Sequence, residues 1–269
     1  MFKIFIQYLW HCWYNYISYL VFRHGDTAIF MNYGYETEPP VGLKIEPSDE
    51  TNRYYIQLYN HVCKTVNFKN KKVLEISCGR GGGSDWVYRT YKPDSYIGLD
   101  LSENGIEWCK RKFERDTLSF IVGDALNLPF DENTFDIIIN VEASHCYPNQ
   151  SRFFNEVSRI LKKDGIFLYA DFRPNDTNIH IEQLSIHEKW IKAVSNSNCF
   201  TMISDSDITN GAYIGTLMNT DKHQNLVELL PYCIRWFGRY FSACEGTAIN
   251  TGFKNRTICY TSFVLTNKK

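Results

Sequence analysis

The chain has 269 residues, a formal net charge of −1, and hydrophobic side chains at 44% of its positions. This length is enough for one sizeable core, and the near-neutral charge argues against nucleic acid as a partner, because phosphate binding needs a basic surface. The nine cysteines are scattered without CxxC spacing, which disfavours a disulfide framework or a metal site and favours a reducing, cytoplasmic compartment.

The first predicted element is an aromatic N-terminal helix. No charged residue occurs between Ile4 and Phe22, an uncharged length that could cross a bilayer. Polar side chains recur every three or four residues, at Lys3, Gln7, His11, Asn15 and Ser18. One polar stripe better fits a helix that lies in a membrane interface or covers an active site. We therefore assign residues 1–35 to a lid or membrane-surface segment, with peripheral membrane contact through residues 1–22.

The second predicted domain, residues 36–269, begins with a Pro-rich, charged connector (36–53) and a helix from Tyr54 to Phe68. Strands and helices then alternate. The predicted strands are Val73–Ser77, Ser95–Leu99, 118–125, 135–143 and 165–173, and the predicted helices between them are Gly83–Tyr91, 102–114 and Arg152–Lys162. Repeated strand–helix units require a parallel sheet with right-handed crossovers, so the predicted fold class is α/β.

The pattern is less regular after residue 176. Residues 199–209 predict a further strand followed by the cap of a helix, while Ile181–Val194 and Asp221–Phe241 have helical spacing. Thr257–Leu265 alternates in the way that an edge strand does. We interpret the helical insertions at about 176–245 as a cap that shapes an acceptor pocket.

A glycine turn, residues 79–83, follows the first predicted strand in "VLEISCGRGGGSDW". It departs from the dinucleotide fingerprint, because Ser84 occupies the position of the third glycine, and it lacks the Lys-Ser/Thr ending of a P-loop. The Glu75 carboxylate at the end of that strand would repel a pyrophosphate and attract an ammonium group. S-adenosyl-L-methionine carries such a group, so the turn predicts this cofactor. We expect the Arg80 side chain to be solvated.

Two further acids follow the next two strands. Asp100 lies twenty-one residues after Gly79, where an acid can accept hydrogen bonds from ribose hydroxyls, and Asp124 can accept one from the adenine amino group. The alternative is structural, since acids at strand ends often cap the following helix and glycine turns occur without ligands.

These segments resemble the motifs of class I S-adenosylmethionine-dependent methyltransferases. The resemblance is carried by "VLEISCGRGGG", "YIGLDLSENGIEWCKRK", "FIVGDALNLPFDENTFDIIINVEASHCYP" and "FFNEVSRILKKDGIFLYADFRP". More narrowly, "NYGYE", "EPSDETNRYYIQLY" and "NVEASHCYP" resemble the phthiotriol/phenolphthiotriol dimycocerosates methyltransferases, which O-methylate a hydroxyl of a long-chain lipid diol. The resemblance implies a Rossmann-like, doubly wound, mostly parallel sheet.

The resemblance also implies which residues bind the cofactor. The methionine end would be held by Glu75, Ser77, Cys78, Gly79 and Gly81. The ribose would be held by Asp100 and Leu101, and the adenine by Asp124 and Ala125, with Asn140 and Val141 nearby.

Methyl transfer to a hydroxyl is helped by a base within hydrogen-bonding reach. Our candidate is His145, whose imidazole is neutral at cellular pH if its pKa is near the usual 6.5, with Asp171 placed to orient it. The alternative is that His145 only lines the pocket, while the Asp171 carboxylate accepts hydrogen bonds from backbone N–H groups. Glu142 and Tyr147 are candidate substrate contacts. Four further aromatic residues either line an acceptor channel or belong to the hydrophobic core: Trp190, Trp236, Phe237 and Tyr240.

The predicted function is therefore S-adenosylmethionine-dependent O-methylation of a lipid or polyketide-like acceptor. One alternative is C-methylation of a sterol-, quinone- or tocopherol-like acceptor, and another is a non-catalytic cofactor-binding or scaffold protein. An NAD-dependent oxidoreductase is disfavoured by Glu75 and Ser84.

Overall fold

A computed structural model of the protein describes Tyr16 and residues 28–175 and 199–269. The predicted N-terminal helix (residues 1–22, Tyr16 apart), the predicted helix Ile181–Val194 and its Trp190 lie outside the described residues. Within the described ranges, no helix is long and apolar enough to span a membrane.

The core of the molecule is a seven-stranded sheet. Its strands are β1 (Lys72–Ile76), β2 (Ser95–Asp100), β3 (Leu118–Val122), β4 (Phe135–Val141), β5 (Leu161–Pro174), β6 (Phe200–Asp207) and β7 (Ile258–Asn267). They lie in the order β3-β2-β1-β4-β5-β7-β6, and β1 to β5 pair in parallel. The five strands predicted before residue 176 are confirmed, with boundaries shifted by a few residues, and so is the α/β class.

The prediction that the last strand lies at an edge is wrong. β7 pairs antiparallel with both β5 and β6, so β6 is the edge strand. Thr261 and Ser262 produced the alternating pattern of an exposed strand, but both side chains are buried in the interior of the sheet.

Helices pack on both faces of the sheet. They are α1 (Arg53–Cys63), α2 (Gly82–Tyr91), α3 (Glu103–Phe113), α4 (Gln150–Ile160), α5 (Thr209–Met218), α6 (Thr220–Glu228), α7 (Arg235–Phe241) and α8 (Ala248–Lys254). α1 ends five residues earlier than predicted. The single helix predicted over Asp221–Phe241 is two helices, because Pro231 interrupts it and a 3-10 turn, Tyr232–Ile234, follows.

The alternation of side chains along β1 separates two apolar cores. Val73 belongs to the core packed with α1, α2 and α3, while Leu74 and Ile76 belong to the core packed with α4. Because β1 to β4 are parallel, their carboxyl ends meet at one edge, and the strand order reverses between β1 and β4. That crevice is where open α/β sheets bind ligands.

Residues 29–35, on the N-terminal side of the boundary that we predicted at residue 35, pack on this core. Phe30 is buried and stacks on Tyr55 of α1 at 5.7 Å between ring centroids, and Tyr33 lies 5.5 Å from Phe172 of β5.

Asn267 ties the end of β7 to the junction between α4 and β5. Its buried amide Nδ2 donates to the carbonyls of Ser158 and Leu161, both at 2.9 Å, and its Oδ1 accepts from Ser158 Oγ at 2.9 Å. Asn267→Ala leaves these buried groups unpaired and is expected to lower the free energy of unfolding by about 2–3 kcal/mol, measured by urea denaturation.

Asn175→Ala is the matched control for that substitution. Asn175 is exposed and its side chain makes one hydrogen bond of 3.2 Å to the Arg256 carbonyl, so the expected change is within about 0.5 kcal/mol. Equal losses in the two variants would contradict the anchoring role of Asn267.

Candidate active site

A cavity of about 180 Å³ lies at the carboxyl ends of β1 to β4. Its wall comes from the loops that follow these strands, from α1 and the start of α2, and from a cover segment that we define as residues 28–32. The lining residues are Ile29–Asn32, Tyr59, Ser77–Gly79, Gly83, Asp100–Ser102, Gly123–Leu126, Val141–Ala143 and Cys146–Pro148. Eight of the predicted cofactor residues are among them: Ser77, Cys78, Gly79, Asp100, Leu101, Asp124, Ala125 and Val141.

The glycine turn presents bare backbone to this cavity. Gly79 has a φ of 57°, which is in the left-handed region, and a Cβ atom at this position would lie 2.9 Å from Met31 Sδ in the cover segment. The Gly82 N–H donates to the Ile29 carbonyl at 3.1 Å, so the cover segment lies directly on the turn. A side chain at Gly79 or Gly82 would displace the cover segment. Glycine at these two positions therefore lets the cover segment pack against the turn.

The Asp100 carboxylate joins the end of β2 to the glycine turn. Its Oδ2 accepts a hydrogen bond from the Gly79 N–H and its Oδ1 accepts one from the Ser102 N–H, both at 2.9 Å. Asp124 is held in a similar way, since its Oδ1 accepts from the Leu126 N–H at 2.9 Å. Both acids therefore lie at the cavity in orientations fixed by backbone donors, as the positions at strand ends predict.

The structure departs from the prediction at Glu75. Its side chain is absent from the cavity wall and is 1% exposed. Its carboxylate accepts hydrogen bonds from Tyr59 Oη (2.6 Å), Tyr96 Oη (2.8 Å) and Ser84 Oγ. Burial raises the pKa of Glu75, and the three hydroxyl donors partly offset that effect. The carboxylate supports the turn from beneath, and its direct contact with an ammonium group stays a prediction.

Three other predicted positions also lie behind the wall rather than on it. Gly81 is the left-handed cap before α2, with φ 74°. Asn140 is fully buried and its Nδ2 donates to the Ile76 carbonyl and to Tyr147 Oη, both at 2.9 Å. Arg80, expected to be solvated, is buried and its Nη1 donates to the Ala28 carbonyl at 2.9 Å. These side chains shape the loops that line the cavity.

His145 and Asp171 form the predicted pair. His145 Nδ1 lies 2.9 Å from Asp171 Oδ1, and the His145 backbone N–H donates to Asp171 Oδ2 at 2.9 Å. Neither residue lines the cavity, and the imidazole packs on the Phe172 ring at 4.4 Å between centroids. The contact that orients the imidazole is confirmed, whereas the placement of the ring at the cavity is not.

A second cation shares the buried Asp171 carboxylate. Arg173 is fully buried and its Nη1 lies 3.0 Å from Asp171 Oδ2. Burial would raise the pKa of Asp171, but the charges of Arg173 and His145 outweigh it and hold the pKa well below the usual range. Burial alone would lower the pKa of His145, whereas Cys146 and Asp171 raise it, to about 10. The imidazole is therefore protonated at neutral pH, contrary to our expectation.

Glu142 is the acid that faces the cavity on this side. It opens the acceptor loop, which we define as residues 142–148, with a left-handed φ of 49°, and its two oxygens lie 3.0 and 3.2 Å from the Tyr33 N–H. Burial raises its pKa to about 8, although the Tyr33 N–H partly offsets the increase. Tyr147 also lines the cavity, and its Oη bonds Ser77 Oγ at 2.6 Å.

Sequence reasoning missed several parts of the wall. The cover segment and Tyr59 line the cavity, yet they precede the glycine turn in the chain, and Cys146 lies beside the predicted His145. The signal for the cover was the "NYGYE" segment, in which Asn32 lines the cavity and Tyr33 holds Glu142. The predicted channel aromatics Trp236, Phe237 and Tyr240 are absent from the wall of this cavity.

The strand order together with the open turn after β1 defines a class I S-adenosylmethionine-dependent methyltransferase. Residues 74–169 match the methyltransferase domain family. The O-methyltransferase of a Brevibacillus brevis trans-AT PKS multienzyme, solved with S-adenosyl-L-homocysteine, has the same fold, with a TM-score of 0.68 and 16% identity over 88% of this chain and 84% of that one.

Sequence similarity to curated relatives narrows the class. The chain is 38% identical over 259 residues to the phthiotriol/phenolphthiotriol dimycocerosates methyltransferase of Mycobacterium tuberculosis, covering 96% of this chain and 92% of the relative. It is also 38% identical over 229 residues to the fatty-acid O-methyltransferase of Mycolicibacterium smegmatis, covering 82% and 80% of the two chains. The chain belongs to the phthiotriol/phenolphthiotriol dimycocerosates methyltransferase family, and it is an enzyme that uses S-adenosyl-L-methionine.

The residues present fit this cofactor. Ser77, Cys78 and Gly79 line the cavity where a methionine end would bind, and Asp100, twenty-one residues further along the chain, presents a carboxylate oriented by the Gly79 N–H. Leu101, Ala125 and Leu126 add apolar surface suited to an adenine ring.

Glu75→Gln tests whether the buried carboxylate supports the turn or binds the cofactor. An amide cannot accept from all three hydroxyls as a carboxylate does, so the free energy of unfolding is expected to fall by about 1–3 kcal/mol in urea denaturation. The exposed Glu114→Gln is the matched control and is expected to change stability by less than about 0.5 kcal/mol. Unchanged stability together with lost S-adenosylhomocysteine binding in calorimetry would place Glu75 at the cofactor instead.

Proposed function

We propose that the protein transfers a methyl group from S-adenosyl-L-methionine to a hydroxyl of a lipid or polyketide-like acceptor. The observation that carries this proposal is the 38% identity, over 96% of the chain, to a methyltransferase named for phthiotriol and phenolphthiotriol dimycocerosates. The relative named for fatty acids supports the same acceptor class. The apolar cover residues Ile29, Phe30 and Met31 suit such an acceptor, since they form one wall of the cavity.

The proposed cofactor contacts follow the order of the strands. Ser77, Cys78 and Gly79 would hold the methionine end of the cofactor. Asp100 and Leu101 would hold its ribose, and Asp124 and Ala125 its adenine. When bound, the cofactor supplies an electrophilic methyl group on a sulfonium.

The protein's own contribution is alignment and the removal of a proton. Holding an acceptor oxygen in line with the methyl group can contribute about 7–11 kcal/mol. A hydroxyl is a poor nucleophile while protonated, so a base that reaches it contributes roughly 100- to 10,000-fold. The base must itself be deprotonated at the working pH.

We propose Glu142 as this base. It lines the cavity, and a pKa of about 8 leaves part of its population as the carboxylate at neutral pH. His145 remains the rival candidate, but its Nδ1 is committed to Asp171, its ring lies off the cavity wall and its raised pKa keeps it protonated. The His145–Asp171 pair would instead fix the position of the acceptor loop through the His145 backbone N–H.

Peripheral membrane contact through residues 1–22 is a further part of the proposal. Its support is the aromatic sequence, uncharged from Ile4 to Phe22, with one polar stripe. Its test is the full-chain double variant Trp10→Ser/Trp13→Ser in the vesicle assay described in the next subsection.

Incubation with isotopically labelled S-adenosylmethionine and a set of long-chain diols, alcohols and fatty acids tests the acceptor class. We expect the label in a methyl ether of a diol or alcohol, identified by mass spectrometry of the extracted lipids, whereas label in a methyl ester would show that a carboxylate is the acceptor. Label attached to carbon would favour C-methylation of a sterol-, quinone- or tocopherol-like acceptor. Label in none of the lipids, with normal S-adenosylhomocysteine binding, would overturn the proposed acceptor class.

Glu142→Gln tests the base and keeps an acceptor for the Tyr33 N–H. We expect kcat to fall by about 100-fold or more, with S-adenosylhomocysteine affinity unchanged within about threefold. Because the carboxylate is the active form, wild-type kcat/KM should rise with pH through about 8 and be lost as the pH falls below it.

The exposed Glu107→Gln is the matched control for this substitution and should retain full activity. A wild-type rise centred near pH 10, lost in His145→Gln and kept in Glu142→Gln, would return the role of base to His145.

A further inference from the structure

The turn before α7 and the outer face of α7 expose large aromatic side chains. Tyr232 is 87% exposed and Trp236 is 70% exposed, the two highest values among the large hydrophobic residues of the described ranges. Tyr232 lies in the 3-10 turn Tyr232–Ile234, and Trp236 lies four residues further along the chain, in the first turn of α7. We define these two residues as the aromatic ridge; Pro231 and Cys233 beside them are also exposed.

The inner side of the same segment is firmly packed, which fixes the ridge in an outward orientation. Leu230 and Val227 are buried, and a Cβ at Gly238 would lie 2.3 Å from Leu230 Cδ1, so α7 sits close on these residues. Arg235 secures the turn, since its Nε donates to the Leu230 carbonyl at 2.9 Å and its Nη2 to the Glu228 carbonyl at 2.7 Å. The exposure of the ridge is thus a property of the folded segment.

The segment that carries the ridge, residues 229–244, has a positive charge. Between Glu228 and Glu245 the sequence contains two arginines, Arg235 and Arg239, and no acidic residue. Surfaces that expose Trp and Tyr beside cationic side chains bind at the interface of anionic bilayers. The aromatic rings then lie at the level of the lipid headgroups.

The segment that carries the ridge is connected to the active-site wall. α6 precedes the ridge, and its His223 ring lies 6.3 Å from the Tyr33 ring, whose backbone N–H holds Glu142. Phe253 of α8 contacts both Tyr33 and Phe172, at 6.1 and 5.8 Å between ring centroids. The helices on either side of the ridge-bearing segment, α6 and α8, therefore both pack against Tyr33, the residue that holds Glu142.

We propose that the aromatic ridge docks the protein on the surface of an anionic lipid bilayer, from which the acceptor is taken. The part that concerns the acceptor rests on the proposed function, whereas docking itself does not. Tyr232 and Trp236 enter the headgroup region, and Arg235 and Arg239 lie beside anionic headgroups.

Vesicle co-sedimentation of the full chain tests the docking. Vesicles of phosphatidylcholine with phosphatidylglycerol should bind the protein more tightly than phosphatidylcholine alone, and added salt should weaken the binding because the arginine contribution is screened. Tyr232→Ser/Trp236→Ser should lower the affinity by about tenfold or more. S-adenosylhomocysteine binding, measured by calorimetry, should be unchanged in the double variant. Unchanged binding would show that the double variant is folded.

Ile203→Ser is the matched control, since Ile203 is 57% exposed on the edge strand β6. It should bind vesicles as the wild type does. Wild-type binding by the ridge variant, or binding lost only in Trp10→Ser/Trp13→Ser, would overturn the proposal. A concentration-dependent dimer that disappears in the ridge variant, without vesicle binding by the wild type, would assign the ridge to a second copy of the chain. Vesicle binding without lipid methylation would overturn the proposed acceptor while leaving the docking intact.

Discussion

One buried carboxylate holds together the elements around the floor of the active site. Glu75, at the carboxyl end of β1, accepts hydrogen bonds from Tyr59 of α1, Ser84 of α2 and Tyr96 of β2. A buried carboxylate is costly unless donors compensate it, and here three hydroxyls do so. The open backbone at Gly79 and the bond from its N–H to Asp100 both depend on the position that this cluster gives to β1 and α2.

A second buried carboxylate organises the opposite side of the cavity. Asp171 accepts from the backbone and the ring of His145 and from Ser144 Oγ, and Arg173 balances its charge. These contacts fix the acceptor loop just beyond Glu142 and hold His145 as a cation. The two acids on this side are therefore placed differently, because Asp171, which organises the loop, is fully buried, whereas Glu142 lines the cavity.

The features that local sequence patterns determine were predicted correctly. Alternating strands and helices revealed the parallel sheet, and Asp100 and Asp124 were recognised because strand ends meet at one edge. The direction of the Glu75 side chain could not be predicted, since it depends on Tyr59 and Tyr96, sixteen and twenty-one residues away. The charge state of His145 could have been questioned, because a carboxylate that orients an imidazole also raises the pKa of that imidazole. The interior position of β7 in the sheet was not predicted, because its polar Thr and Ser residues are typical of an exposed edge strand.

The position of β7 affects how the sheet can be completed during synthesis. β6 is made before β7 but touches the rest of the sheet through it, since β7 lies between β5 and β6. Until β7 emerges from the ribosome, the apolar edge of β5 has no partner and presents free backbone groups to other chains. A nascent chain is thus most prone to aggregate during that interval, and late pairing between distant segments is the slow step expected for such a topology.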